Sequence, residues 1–476
     1  MTTFKDHLDK ANQSRKSGNF KEAIKHYKEL WEKYNSRCNE WVAWGYALSL
    51  SKLKQNEKAL EVCEQAYSRF PDFDNLKNVY AWALFNVKVS SKKIKDLHVI
   101  LDSAQKILEL TKEDAPYSPY TQTVLKVIEV LEKNNQPAKI LEWIDKIDLE
   151  KQPKDPVVVK VLENRVQTVP SKYEALLKTK IDALIKTKKT EEAAKIAQEY
   201  LTNTPTDKIS SKTPFQYAIA HHYLKSGDLE QAYIWFKRFA FKKKKWQYHK
   251  ELAEVFYKKG EYGDALKLAC DACFFQGDYK KKMPLFVFMA AIFRKLNRID
   301  LAKKHLELAL AIRKELQFNL DNFSKNLIEE FEIDLNNLPD SKKIWAQLKN
   351  VWEKEQYSAL PWYQGKIILV MNNGYCGFVG LDNGNTYYFK KDHFLGNSEY
   401  ITIGQNVKFQ IILAINPKKD KANKVAVNVT PLDENNEPYP FTENRKKDKP
   451  ESENVSPNVI NDLDLEMKTE KSENEN

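Results

Sequence analysis

The sequence predicts a multidomain chain: an all-α helical-repeat solenoid, then a small five-stranded β-barrel, then a disordered acidic tail. Three observations predict it. Apolar residues before position 362 recur at the spacing of amphipathic helices, in units that repeat. Seven of the thirteen glycines then fall between Trp362 and Pro431, where the apolar spacing drops to two. From Leu432 to Asn476 there are 13 acidic and 6 basic residues and few large apolar ones, too few to offset the entropy of ordering. The boundaries read as 1–72 and 172–358 for clear repeats, 73–171 for irregular helical pairs continuing the solenoid, 362–431 for the barrel and 432–476 for the tail.

The repeats are read from small residues. In one block Ile219, Ala220 and Tyr223 form an apolar stripe, Gly227-Asp228 a turn, and Leu229, Ala232, Phe236 and Phe239 a second stripe. The next two blocks follow the same plan around Gly260 and Asn297. Ala193, Ala232, Ala265 and Ala302 lie 39, 33 and 37 residues apart. Near the start, Gly18, Phe20, Ala23 and Tyr27, then Ala59, Ala66 and Pro71, fit the template. Each unit is a helix pair. Alanine sits where the helices touch, glycine or asparagine takes the left-handed position that ends the first helix, and proline stops the second. One unit exposes its apolar face, so neighbours must stack. Helices at about 321–332 and 340–352 are expected to cap the stack.

This pattern resembles the tetratricopeptide-repeat superfamily over about residues 4–71 and 174–315, at the family's period of about 34 residues. The alanine and glycine positions match; the family's tryptophan-leucine-glycine start is degenerate. The resemblance implies a scaffold that presents a concave surface to a protein or peptide partner.

From Tyr363 the pattern alternates. Lys366–Val370, Tyr375–Leu381, Thr386–Phe389, Val407–Leu413 and Val425–Val429 read as strands, with turns at Asn372-Asn373-Gly374 and Asp382-Asn383-Gly384-Asn385. Five short strands with glycine-marked bends suggest a small closed barrel. The region resembles a cold-shock domain, a barrel of the oligonucleotide-binding class. Tyr375-Cys376-Gly377-Phe378-Val379 is similar to its first ribonucleoprotein motif and Thr386-Tyr387-Tyr388-Phe389 to its second. Gly404-Gln405-Asn406-Val407-Lys408-Phe409 and Lys424-Val425-Ala426-Val427-Asn428-Val429 are similar to its late segments. The resemblance implies that bases of a single strand stack on Phe378, Tyr387 and Phe389, with Tyr375 as a substitute ring. It makes Lys366, Lys390, Lys391 and Lys408 phosphate contacts, and His393 and Phe394 further contacts. The family's first-strand tryptophan falls on Leu369, and the first phenylalanine of its first motif on Cys376. With stacking positions lost, the expected affinity is roughly micromolar. The alternative is a barrel kept for protein contact, its aromatics packed on the solenoid.

Charge fits either anion. The chain carries +11; the tail's 13 acidic and 6 basic residues give −7, leaving +18 on the rest. A basic body suits nucleic acid. Yet only nine of the 77 basic residues are arginine, the better bidentate phosphate ligand. Lys242, Lys243, Lys244 and Lys245 followed by Trp246 form a possible basic track along the solenoid, which Lys280 to Lys282 would extend; the alternative is a solvated loop. Lys418-Lys419-Asp420-Lys421 reads the same way.

Other chemistry finds no residues. Cys270-Asp271-Ala272-Cys273 lies within a repeat helix with no second pair, so it reads as core rather than a metal site. His221-His222 point apart on a helix. Phosphate-loop, nucleophile-elbow, zincin and dinucleotide motifs are absent. No catalytic residue, metal or cofactor is expected. The N-terminus has no apolar core, and the longest apolar run, Met283 to Phe293, is too short to span a bilayer. A cytoplasmic, non-enzymatic adaptor without membrane attachment is expected, with a protein partner on the solenoid and single-stranded RNA or DNA, RNA favoured, on the barrel. The alternatives are a pure protein-interaction scaffold and an accessory targeting subunit of a nucleic-acid-processing or defence complex.

Overall fold

A computed structural model describes residues 3–162, 165–317, 328–335, 337–371, 376–416 and 421–439, and its contacts divide the chain into two compact units, Met1–Ala218 and Ile219–Asn476. The first unit runs α1 (Phe4–Lys16), α2 (Phe20–Lys33), α3 (Glu40–Lys52), α4 (Asn56–Tyr67), α5 (Asp74–Leu84), α6 (Leu97–Leu110), α7 (Tyr120–Lys133), α8 (Pro137–Ile144), β1 (Val157–Leu162), β2 (Arg165–Val169), α9 (Lys172–Lys186) and α10 (Thr190–Asn203). Thr3 and Asp6 form a reciprocal capping box at α1, and Asn39 caps α3 by accepting from the Val42 amide at 3.1 Å. Ala23 and Ala59 are fully buried, as the helix-contact reading requires. Gly45 lies under Tyr27, where a β-carbon would come within 2.7 Å of the ring.

Helical pairs throughout 73–171 were expected, but the stretch ends in the β1–β2 hairpin, Val157 pairing with Val169. The reason is local. Six valines and a threonine between Pro156 and Pro170 favour extended backbone, and the prolines bar a continuous helix.

The second unit follows from α11 (Thr213–Ser226) with α12 (Leu229–Lys237), α13 (Ala240–Lys243), α14 (Trp246–Lys258), α15 (Tyr262–Phe274), α16 (Met283–Lys295), α17 (Ile299–Glu315) and a last helix, Ser341–Glu355. Gly227, Gly260 and Asn297 take positive φ of 91°, 81° and 58°, as their helix-ending role demands. Ala232, Ala265 and Ala302 are fully buried. The last helix seals the stack: the Trp352 ring lies parallel to Phe286, 5.8 Å between centroids, and its indole N–H donates to His305 Nε2 at 2.8 Å. Most of the other expected cap, 321–332, lies outside the described residues. Lys282 is buried, and its ammonium donates to the carbonyls of Ala272, Cys273 and Phe275, closing the C-terminus of α15.

The barrel comprises β3 (Trp362–Val370), β4 (Cys376–Gly380), β5 (Thr386–Lys390), β6 (Asn406–Asn416) and β7 (Lys421–Pro431), closed in the order β3-β4-β5-β7-β6 with β6 returning to β3. The β5–β7 pairing is parallel and the others antiparallel. Ile367, Val379, Phe389, Phe394, Val407, Phe409, Ala426 and Val429 fill it. Order continues past the expected boundary at Pro431. Leu432 is buried, its amide bonds the Asn406 carbonyl at 2.8 Å, and Tyr439 stacks on Tyr400 at 4.2 Å. Residues 432–439 therefore pack on the barrel, and the rest of the expected tail, 440–476, lies outside the described residues.

One side of the barrel is docked. Buried Gln410 on β6 donates to the carbonyls of Tyr357 and Leu360 in the linker, at 2.8 and 2.9 Å. Leu360, Ile412 and Val427 form a small apolar cluster with Tyr357 and Val425 beside it. At Gly263 of α15 a β-carbon would lie 2.8 Å from the Ala359 carbonyl carbon, so only glycine admits this approach. α13 packs against β6. The surface of β6 and β7 around Gln410, Ile412 and Val427 is thus committed to the helices and linker.

Candidate nucleic-acid interface

Strand alternation assigns each barrel residue to the inside or the outside. β4 and β5 pair Gly377 with Phe389 and Val379 with Tyr387; these four point inward. Phe389 is 1% exposed and packs on Phe394, while Tyr387 packs on the core, 6.1 Å from the Phe409 ring. The expected stacking roles of Tyr387 and Phe389 are therefore corrected. They do share a face, but it is the inner one. Phe394 is core as well. Tyr375 lies outside the described residues.

The outer face is built from the alternate set. Phe378 pairs with Tyr388, and their half-buried rings meet edge-on at 5.7 Å and 66°. A bulge between Ile367 and Leu369 leaves Ile368 and Leu369 44% and 40% exposed. Leu369 stands opposite Phe378, and the Ile368 side chain lies over Gly380. The face is therefore an apolar and aromatic centre: Ile368, Leu369, Phe378 and Tyr388.

Cations surround it. Lys366, opposite Gly380, and Lys390, at the end of β5, are exposed. Lys408 on β6 sits with its ammonium 5.4 Å from the ring of Trp362, which is 51% exposed at the β3–β6 edge. Lys391 is exposed in the short turn after β5. His393 is half-buried there. Its pKa is lowered, first by burial and then by Lys390 and Lys267, against the pull of Asp392, so it stays neutral at pH 7. Burial, then a hydrogen bond with Cys376, pushes the Tyr388 hydroxyl well above its ordinary value, keeping it protonated. Such a face can stack unpaired bases and hold their phosphates at its rim.

Tyr388, Ile368 and Trp362 were not among the expected residues. No clear signal in the sequence marks Tyr388, because Tyr387, Tyr388 and Phe389 stand in a row; the burial of Phe389 and Val379 is what marks the inside.

The lysine run falls in two elements. Lys242 and Lys243 end α13, Lys244 is left-handed at φ 37° and Lys245 precedes Trp246, the first residue of α14. All four lysines are exposed and Trp246 is half-buried. Its expected extension is corrected: Lys282 is the buried helix cap, and Lys280 pairs with Glu315 at 2.8 Å. Residues 417–420 of the barrel loop lie outside the described residues.

Cys270 and Cys273 are buried, and Cys273 Sγ lies 3.2 Å from Met289 Sδ. His221 pairs with Glu251 at 2.8 Å. Among the described residues no group of three potential metal ligands occurs, and no helix is long and apolar enough to cross a membrane.

No family model matches this sequence, and no curated protein matches it. Solved structures do. A tetratricopeptide repeat protein from Parabacteroides merdae is 10% identical over 69% of this chain and 96% of its own, with a TM-score of 0.26. BtubC from P. vanneervenii is 13% identical over 48% of this chain and 92% of its own, with a TM-score of 0.32. A human IFIT1 dimer with PPP-AAAA is 13% identical over 74% of this chain and 81% of its own, at 0.32. The repeat-body and barrel assignments stand on the elements and pairings described above.

Proposed function

We propose that this protein is a non-enzymatic adaptor: its barrel holds single-stranded nucleic acid, RNA favoured, and its repeat body holds a protein or peptide partner. The observation that carries the reading is the two-sided barrel. Its β6–β7 surface is docked on linker and helices, while β3–β4–β5 present Phe378, Tyr388, Ile368 and Leu369 inside a rim of Lys366, Lys390 and Lys408. RNA is favoured through the cold-shock-like motifs. Two rings at about 1–3 kcal/mol per stacked base, with a few phosphate contacts, support roughly micromolar affinity.

Fluorescence-anisotropy titration of the full chain with a short unstructured RNA and its DNA equivalent, at two salt concentrations, tests it. Salt-dependent binding that weakens in Phe378→Ala supports the reading. A folded wild-type chain that binds neither strand at low salt would refute it. A second reading, a scaffold whose barrel binds only protein, is favoured by Ile368 and Leu369, exposed aliphatic side chains on the same face.

A further inference from the structure

We infer that the helical body carries a second nucleic-acid contact, a patch of cations and aromatic rings on α12–α14 beside β6. It takes the same single strand once that strand has left the barrel face. The inference rests on the barrel reading above.

Position is the first argument. α13 packs against β6, the strand that carries Lys408, and β6 pairs with β3 at Trp362 and Gln364. A strand lying over β3–β4–β5 and crossing the Trp362–Lys408 edge therefore moves toward α13.

Composition is the second. Arg238 lies 4.0 Å over the ring of Trp235, Lys237 5.6 Å from Tyr233 and Lys245 5.5 Å from Tyr248. The three rings are half-buried, Tyr233 against Phe256 and Tyr248 against Phe239, so they hold the cations in place, and the cations supply charge for phosphates. The left-handed Lys244, in a backbone region that favours glycine or asparagine, breaks the chain between α13 and α14. That corner displays Lys243, Lys244 and Lys245 together.

Clustering is the third. Some lysines of this unit are matched to carboxylates, Lys250 to Glu254, Lys259 to Glu230, Lys267 to Asp271 and Lys280 to Glu315, while others such as Lys295, Lys342 and Lys366 stand exposed and unmatched, so what sets this corner apart is that its unmatched cations are neighbours. Arg238, Lys243, Lys244 and Lys245 have no carboxylate within 4.0 Å among the described residues. Neighbouring cations without counter-charges repel one another, and a polyanion relieves that repulsion.

The test uses the full chain with labelled unstructured RNAs of about six and about sixteen nucleotides, bracketing the site of one such barrel. The proteins are wild type, Phe378→Ala and a Lys243→Gln/Lys244→Asn/Lys245→Gln variant, asparagine being suited to the left-handed position. Wild type should bind the long strand at least about tenfold more tightly than the short one, beyond the gain from extra registers. The lysine variant should bind the short strand as wild type does and lose the gain. Its log–log salt slope on the long strand should fall by about 2, at about 0.7 per phosphate contact. A lysine variant that keeps the gain, or loses both strands alike, overturns the inference. So does displacement of the long strand by a polyglutamate peptide of matched charge as readily as by unlabelled RNA, which would assign the patch to acidic protein. Unchanged binding of both strands by Phe378→Ala defeats the barrel reading instead, and the lysine variant then still reports on the patch.

Discussion

Phe378 and Phe389 are eleven residues apart in sequence, yet their truncation should have opposite signatures. Phe389 is 1% exposed, and its ring sits where a β-carbon on Gly377 would come within 2.9 Å. Phe389→Ala leaves a cavity in the packed barrel core, at a cost of about 3–5 kcal/mol, a large part of a domain's 5–15 kcal/mol. Phe378 loses little packing on truncation, about 1 kcal/mol, but removes a stacking surface worth about 1–3 kcal/mol per base. That is about a 5- to 150-fold weaker Kd. Thermal denaturation beside anisotropy separates the two. Phe378→Ala should melt near wild type and bind weakly; Phe389→Ala should lower the barrel's melting transition sharply. A Phe389→Ala protein that melts as wild type but has lost RNA binding would refute the inside–outside assignment.

Other outcomes follow from the same geometry. Gly263→Ala should push α15 off the Ala359 carbonyl and expose the linker, read as faster proteolytic cleavage within 356–361 at unchanged helix content. Lys282→Met leaves three carbonyls at the end of α15 without their donor and should cost about 3 kcal/mol in chemical denaturation. Burial lowers the pKa values of His249 and His305 to about 4. The unfolded chain then takes up protons near pH 6.5 that the folded chain refuses, so their contribution is full above 6.5 and is lost as pH falls toward 4. Asp264, raised to about 6 by burial and then by Glu261, opposes this more weakly. Denaturant midpoints should accordingly fall between pH 6.5 and 4.5. In His249→Phe, which removes a buried ring nitrogen without a partner between Phe241 and Phe275, the fall should shrink. Truncation after Tyr439 removes ten acidic and six basic residues, and should tighten RNA binding at low salt but not at high salt if the acidic tail shields the basic surface.

What was legible in the sequence was whatever depends on neighbours along the chain. Ala232, Ala265 and Ala302 mark helix contacts because only a small side chain fits there, and Gly227, Gly260 and Asn297 mark helix ends because the backbone turns left-handed. The five strands follow from alternation. Alternation alone does not say which alternate set faces the core when a strand carries Tyr387, Tyr388 and Phe389 in a row. A motif aligned one residue out of step then exchanges inside for outside. The hairpin at Val157–Val169 was readable from its valines and two prolines, but the helical pattern on both sides outweighed them. The docking of α13 on β6 was not readable, because it joins residues more than 150 positions apart. Lys282 failed for a related reason: a three-lysine run reads as solvated surface until the helix end it caps is known.

The two parts of the chain gain from being joined. A face with two rings and a few lysines would bind one strand only weakly, and a free barrel of that kind would be mostly empty at ligand concentrations well below micromolar. Docking through Gln410, Leu360 and Gly263 fixes the barrel against the last repeats, so its open face points in a set direction from them. Under the proposed function, a partner held by the repeats would meet bound RNA at an effective concentration set by geometry, which reaches millimolar for short tethers. Weak binding suffices under that arrangement, and it lets the strand be released. In the proposed function, leucine at 369 and cysteine at 376, where the resemblance would put tryptophan and phenylalanine, fit this division of labour: the barrel would need only to orient a strand that the assembled complex retains.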